Sequence, residues 1–190
     1  GSTDDGGGCV VTWEALRLMK KLGLRPRRTV RVVLFTNEEN GLRGGNAYRD
    51  AHKASASNHI FALESDSGVF APASLGFTGS DAARRYIDDI GTLLTPLGFP
   101  AIGPGGGGAD IGPISAAGKV PMMAYNGDSV RYFTIHHTPA DTVGRIVDLD
   151  GRRVYLRLTK DQIKGAPEFD EPSYATTDYR DRVGTYYGPR

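Results

Sequence analysis

The sequence predicts an α/β sandwich, and three observations carry that expectation. Apolar runs of strand length at 29–36, 59–64 and 120–125 alternate with helical periodicities at 9–22, 80–98 and 111–118, the alternation from which α/β layers are built. Acidic residues stand immediately past two of those runs, where open α/β sheets bind their ligands. With 190 residues, 39% apolar and 24% charged, the chain has the make-up of a globular protein able to bury a core.

Each element has its own argument. Val11, Ala15, Leu18 and Leu22 recur at helical spacing and predict a helix over 9–22 that buries this face and stops at Gly23. Thr29 to Thr36, TVRVVLFT, is a β-branched apolar run suited to a buried strand. Asn37-Glu38-Glu39-Asn40 and Gly41, Gly44 and Gly45 then turn the chain into a helix through 47–54. HIFALE at 59–64 is a second strand, ending at Ser65-Asp66-Ser67-Gly68. A helix over 80–98 turns Ala83, Ile87, Ile90, Leu94 and Leu97 inward and closes on Gly98. A glycine-rich loop follows over 100–108, then a short helix at 111–118 and a third strand at 120–125. The apolar run Tyr132-Phe133-Thr134-Ile135 leads to His136 and His137, and Asp141-Thr142 follow closely. Past Asp148 the pattern changes: RVYLRL at 153–158 alternates like a strand, and a Tyr-, Asp- and Arg-rich stretch completes the chain. Two segments are expected, 1–147 and 148–190.

Composition excludes some functions. A net charge of +1 with no long basic run gives no footprint for nucleic acid or an anionic membrane. No apolar stretch approaches the roughly 20 residues that cross a bilayer. Cys9 is the single cysteine, so an internal disulfide is impossible and the redox compartment stays open. No signal peptide is read at Gly1-Ser2-Thr3-Asp4; the chain opens inside a motif and reads as a piece of a longer protein.

Chemistry concentrates in four places. Asp4-Asp5 precedes three glycines at the start of the first helix, where an acid commonly serves as a cap. Glu38-Glu39 ends the most apolar run, and Asp66 ends the next. Successive side chains of a strand point to opposite faces, so one of the glutamates can face a metal while its neighbour faces a water beside it. His136-His137 ends the fourth apolar run. Each feature alone fits a cap, a solvated loop, a turn or a structural histidine. Together, three strand ends and a helix start supply the mixed Asp/Glu/His set that zinc accepts, with carboxylates able to bridge two ions.

The segments TDDGGG, TNEENGLRGG, ESDSG and FTIHHTPADT, in this order, resemble the zinc exopeptidases that include carboxypeptidase Q-like dipeptidases and bacterial leucyl aminopeptidases. LGFTGSDAARRYIDDI and GGGGADIGPISAAGKVP extend the likeness across residues 1–146. The resemblance implies a three-layer α/β/α sandwich with a mostly parallel mixed sheet, here lacking its N-terminal part. It implies Asp4 as the carboxylate bridging two Zn²⁺ ions, Glu39 and Asp66 as ligands of one ion each, and Glu38 as the general base. His137 fits the ligand histidine, which in the family precedes an acid by four residues, here Asp141; His136 is left a supporting or packing role. The loop containing Asp110, with Asp141 and Thr142, is the expected edge that recognises the terminus of a short peptide. A secreted or periplasmic location is implied by the same resemblance.

The chain departs from that pattern in two ways. The family's His-x-Asp motif lies upstream of the bridging Asp and is absent, so one zinc site is incomplete and the sheet would keep an uncovered edge able to associate, a possible homodimer. The last 40 or so residues resemble instead the end of bacterial PRC-barrel proteins, which are small interaction modules. Two other functions are therefore weighed: a single-zinc transferase like the glutaminyl cyclases, and a non-catalytic binding or assembly protein on a peptidase fold.

Overall fold

The structure, a computed structural model, describes residues 1–70, 72–99, 102–144 and 182. The chain divides into two units, Gly1–Arg152 and Arg153–Arg190, and every element below belongs to the first. The strand expected at 153–158 and the PRC-barrel-like segment lie outside the described residues, as does the side chain of Leu97.

In chain order the elements are α1 (Gly7–Lys21), α2 (Arg43–His52), β1 (Ala62–Ser65), β2 (Pro72–Thr78), α3 (Asp81–Leu94), β3 (Ile102–Pro104), α4 (Gly112–Gly118), β4 (Met122–Gly127) and α5 (Ser129–Phe133). The strands form one mixed sheet in the order β1-β4-β2-β3. β1 runs parallel to β4 and β2 parallel to β3, while β2 and β4 are antiparallel. The fold is thus α/β with a mixed sheet. β1 and β4 end on the same side, so Ser65-Asp66 and Gly127-Asp128 leave the sheet together.

Alternation along the strands sorts the two faces. Leu75 and Phe77 of β2 share a face with Met123 of β4, to which Phe77 is paired directly. With Ile102 and with Ile87 of α3 they make the main core, which Ala83, Leu94, Phe99 and Tyr125 border. The Ser80 hydroxyl starts α3 by accepting the Ala83 amide at 3.2 Å. The opposite face carries Glu64, whose carboxylate accepts the Ile111 amide at 2.9 Å and so ties the chain entering α4 to β1. A second core of Phe70, Tyr132 and Ile135 joins α5 to the loop after β1. This smaller core sets the site, because it fixes the segments holding Asp66 and the two histidines.

The structure differs from the sequence reading at several places, among them Ile90 of α3, expected to face inward and 48% exposed. Residues 29–36 are extended but form no strand, and Val30 and Leu34 are each 47% exposed. A strand exists through its ladder of backbone hydrogen bonds, and none of the described strands pairs with this run. The apolar stripe of α1 is likewise not buried, Leu22 being 68% exposed. β2 and β3 were not read from the sequence: β2 contains Pro72 and Gly76, and β3 is three residues inside a glycine-rich loop. Both exist because β4 pairs with β2 antiparallel and β2 in turn pairs with β3 in parallel. Finally, Tyr132–Ile135 is no strand end. Asp128 caps the short α5 by accepting the Val130 and Arg131 amides at 3.0 and 3.3 Å, and successive turns follow.

Candidate metal centre

Four loops converge beyond the end of the sheet. The first carries Asp4 and Asp5, joined by a cis peptide bond, immediately before α1. Gly7 and Gly8 let this loop approach the others. A Cβ on Gly8 would stand 1.7 Å from the Ser65 carbonyl oxygen, and one on Gly7 would stand 2.0 Å from a Val69 methyl group. The two acids divide the work that the sequence left undivided. Asp5 turns back to the helix start, where it accepts the Gly8 amide at 3.1 Å, while Asp4 turns its carboxylate to the histidines.

The second loop follows 29–36. Asn37 takes a left-handed conformation at φ +63°, and Gly41 and Leu42 donate to the Glu38 carbonyl at 3.0 and 2.8 Å. Arg43 and Gly44 donate to the carbonyls of Asn37 and Thr36, closing the turn into α2. Glu38 and Glu39 are held by that network of backbone hydrogen bonds rather than by a strand end.

The third and fourth loops follow β1 and α5. In the latter, His137 is left-handed at φ +56°, a conformation in which histidine is enriched among non-glycine residues. That twist stacks the His136 and His137 rings 3.8 Å apart. Each presents Nε2 at 3.1 Å from Asp4 Oδ2, and His137 Nε2 also lies 2.6 Å from Glu39 Oε1. Asp4, His136 and His137 together form a group able to hold a metal ion. The sequence reading selected His137; His136 comes equally close to Asp4, guided by its tilted packing on the Tyr132 ring at 4.7 Å. A pair of adjacent histidines was visible in the sequence, but periodicity gives no sign of a left-handed residue that aims both at one oxygen.

Asp66 lies near enough to Asp4 for the two carboxyls to act on one another. Burial pushes the Asp66 carboxyl well up, and Asp5, Asp4 and Glu64 push in the same direction. Asp5 is raised to about 6, chiefly by burial, against the lowering effect of its bonds from Cys9 and Gly8. Asp110 is raised to about 7 by burial and then by Glu64, Glu38 and Asp5. One of its oxygens, Oδ1, is buried with no hydrogen-bond partner. Glu64 is raised too, by burial, although it accepts backbone amides of 109–111. The charges acting on all four are those of other carboxylates. Such a carboxylate and imidazole set, with raised protonation and a shared oxygen, is the donor chemistry of a divalent cation site. The residues fit a metal.

A cleft of about 160 Å³ opens beside the cluster, lined among others by Glu64, Asp66, Gly108, Ala109 and Asn126. The Asp110 segment adjoins this cleft through Ala109. Asp141 is placed differently. Its side chain is 4% exposed, and its two oxygens accept the Thr3 and Asp4 amides at 2.6 and 3.0 Å. It is therefore turned into the protein, under the Asp4 loop, because those amides satisfy it there. Thr142 follows it, exposed.

The model of peptidase family M28 matches residues 1–155. The chain belongs to that family. Over 143 residues it is 46% identical to carboxypeptidase Q of Mus musculus and 45% identical to that of Homo sapiens, covering 75% of this chain and 30% of each relative. Carboxypeptidase Q of Xenopus laevis is 42% identical over the same length. A solved structure, that of a peptidase M28 precursor from Shewanella amazonensis SB2B, superposes with a TM-score of 0.69 at 36% identity, covering 75% of this chain and 32% of its own. The chain thus spans about a third of the length of the M28 proteins it matches. Among the described residues no helix is long and apolar enough to cross a membrane.

Proposed function

We propose that this chain carries the catalytic base and most of the metal ligands of a zinc-dependent exopeptidase that hydrolyses the terminal peptide bond of short peptides. The observation that carries the reading is the convergence of His137, Glu39 and Asp4 from three separate loops, with contacts of 2.6 and 3.1 Å, in a member of a peptidase family. Zinc would be held by Asp4, Glu39 and His137 on one side and by Asp4 and Asp66 on the other, with Asp4 shared. When bound, the metal supplies Lewis-acid polarisation of the scissile carbonyl and a lowered pKa for water.

The chain's own residues would do the rest. Glu38 takes a proton from the attacking water and returns it to the leaving amine, as a general acid–base group does. Its backbone is held in a turn closed by the Gly41 and Leu42 amides, next in sequence to the proposed ligand Glu39. The cleft between Glu64, Asp66 and Asn126 would hold the peptide, with the 108–110 loop at its edge. Thr142 remains a candidate for that edge. Secretion or a periplasmic location belongs to the same reading.

One observation favours a second reading. Asp4, His136 and His137 form a three-ligand group for a single ion, the arrangement a single-zinc transferase would use.

The test is Glu38→Gln in the zinc-loaded protein, assayed on dipeptides and on peptides with N-terminal glutamine. Dipeptide hydrolysis should fall by about 10²- to 10⁴-fold, the usual contribution of a general base, while bound zinc stays unchanged. Cyclisation of the glutamine peptides with no dipeptide turnover would instead select the single-zinc transferase. Binding of peptides without turnover in either assay would leave a non-catalytic module.

A further inference from the structure

We infer that Asp141 is a positioning residue for the metal centre: it holds the bridging carboxylate of Asp4 in place from behind, through the backbone rather than through the side chain. The inference rests on the metallopeptidase reading above. The sequence placed Asp141 at the substrate edge, but the structure buries it.

Three observations carry it. First, the Asp141 carboxylate is spent on both of the amides that flank the Thr3–Asp4 peptide: Oδ1 accepts from Thr3 and Oδ2 from Asp4, at 2.6 and 3.0 Å. Its backbone carbonyl also accepts the Ser2 amide at 3.3 Å. Three consecutive amides of the Asp4 loop therefore end on one residue that is 137 positions away from Asp4. Second, the side chain is only 4% exposed. Third, the turn that supplies Asp141 also supplies His137. The Thr138 amide donates to Ile135 and the Asp141 amide to Thr138, at 3.0 and 3.1 Å. One rigid run of turns thus grips Asp4 twice: His137 meets its side chain and Asp141 meets its backbone.

A charged acceptor of two amides is worth more than a neutral one, and partners that orient a metal ligand commonly govern affinity by about 10- to 100-fold. Asn in place of Asp keeps the shape but presents an NH₂ group to one of the two amides, so a donor meets a donor.

The experiment measures zinc affinity by chelator competition for the wild-type chain, Asp141→Asn, Asp141→Glu and Ile87→Ala. Ile87 lies in the α3 core, away from the centre, and reports what general destabilisation does. Amide hydrogen exchange at Thr3 and Asp4 is followed alongside. Asp141→Asn should lose at least about tenfold in zinc affinity and expose both amides to exchange. Ile87→Ala should lower the thermal midpoint without changing affinity, and Asp141→Glu should recover part of the loss. Unchanged affinity in Asp141→Asn, or an equal loss in Ile87→Ala, overturns the inference. If the wild-type chain binds no zinc, the metallopeptidase reading fails, and Thr3 and Asp4 exchange alone then decides whether Asp141 holds the loop.

Discussion

Asp110 shows how single residues in this centre answer to charge. Its carboxyl is raised to about 7 by burial and by the neighbouring acids, above the value of about 3.9 expected of a free Asp. A raised acid stabilises the fold fully below the unfolded pKa and loses that contribution as pH rises through the folded one. The metal-free protein should therefore lose stability between roughly pH 4 and pH 7. Asp110→Asn should flatten that loss and raise the thermal midpoint at neutral pH, measured by calorimetry across the range. A wild-type midpoint that climbs from pH 4 to pH 7, or an Asn variant with the same slope, would show that Asp110 is not held protonated. The pairing of roles at this scale was partly legible in the sequence. Asp4, Glu39, Asp66 and His137 were singled out, and the structure brings His137 and Glu39 to 2.6 Å of one another. The division of labour between Asp4 and Asp5, the equal approach of His136, and the inward turn of Asp141 were not legible. The inward turn of Asp141 depends on amides 137 and 138 positions away, and the other two depend on local backbone conformations that hydrophobic periodicity does not record.

At the scale of elements, legibility followed self-sufficiency. α1, α4 and β4 appear close to where their patterns put them, at Gly7–Lys21, Gly112–Gly118 and Met122–Gly127. β2 and β3 were invisible because their residues become strands only when a neighbour pairs with them, while TVRVVLFT has strand composition and no partner among the described strands. That extended run is tied to α2 by side chains instead. Arg31 donates to the Tyr48 hydroxyl at 2.8 Å, and the same hydroxyl lies 2.9 Å from His59 Nε2. Tyr48→Phe removes both bonds at a cost of about 1 kcal/mol each at most, since the site is largely exposed. Hydrogen exchange in 31–37 should rise while that of α3 is unchanged. The docking of α1 is less forgiving. Gly8→Ala would drive a Cβ into the Ser65 carbonyl, and overpacking of this kind costs typically 1–3 kcal/mol, about that much here. A chemical denaturation midpoint equal to wild type would refute the close approach.

For the molecule as a whole, the surface left by α1 and its surroundings is the outstanding feature. Trp13 and Val11 on α1 and Leu22 just past it are 62%, 54% and 68% exposed, and Ile60 and Phe61 before the edge strand β1 are 56% and 39% exposed. Exposed apolar surface of this kind favours association, and β1, an edge among the described strands, adds backbone groups able to pair. The isolated chain should associate as its concentration rises, and Val11→Lys with Leu22→Lys should suppress this without lowering the thermal midpoint. Light scattering that reports a monomer at every concentration would show the face to be inert. The chain covers 30% of its mammalian relatives, so the question of activity is best asked through the centre itself. Zinc content after dialysis against a weak chelator, measured by mass spectrometry on the wild-type chain and on His137→Ala, tests the central claim most directly. Stoichiometric zinc in the first and its loss in the second is the expected result. No zinc in the wild type, or the same amount in both, would contradict the centre described above.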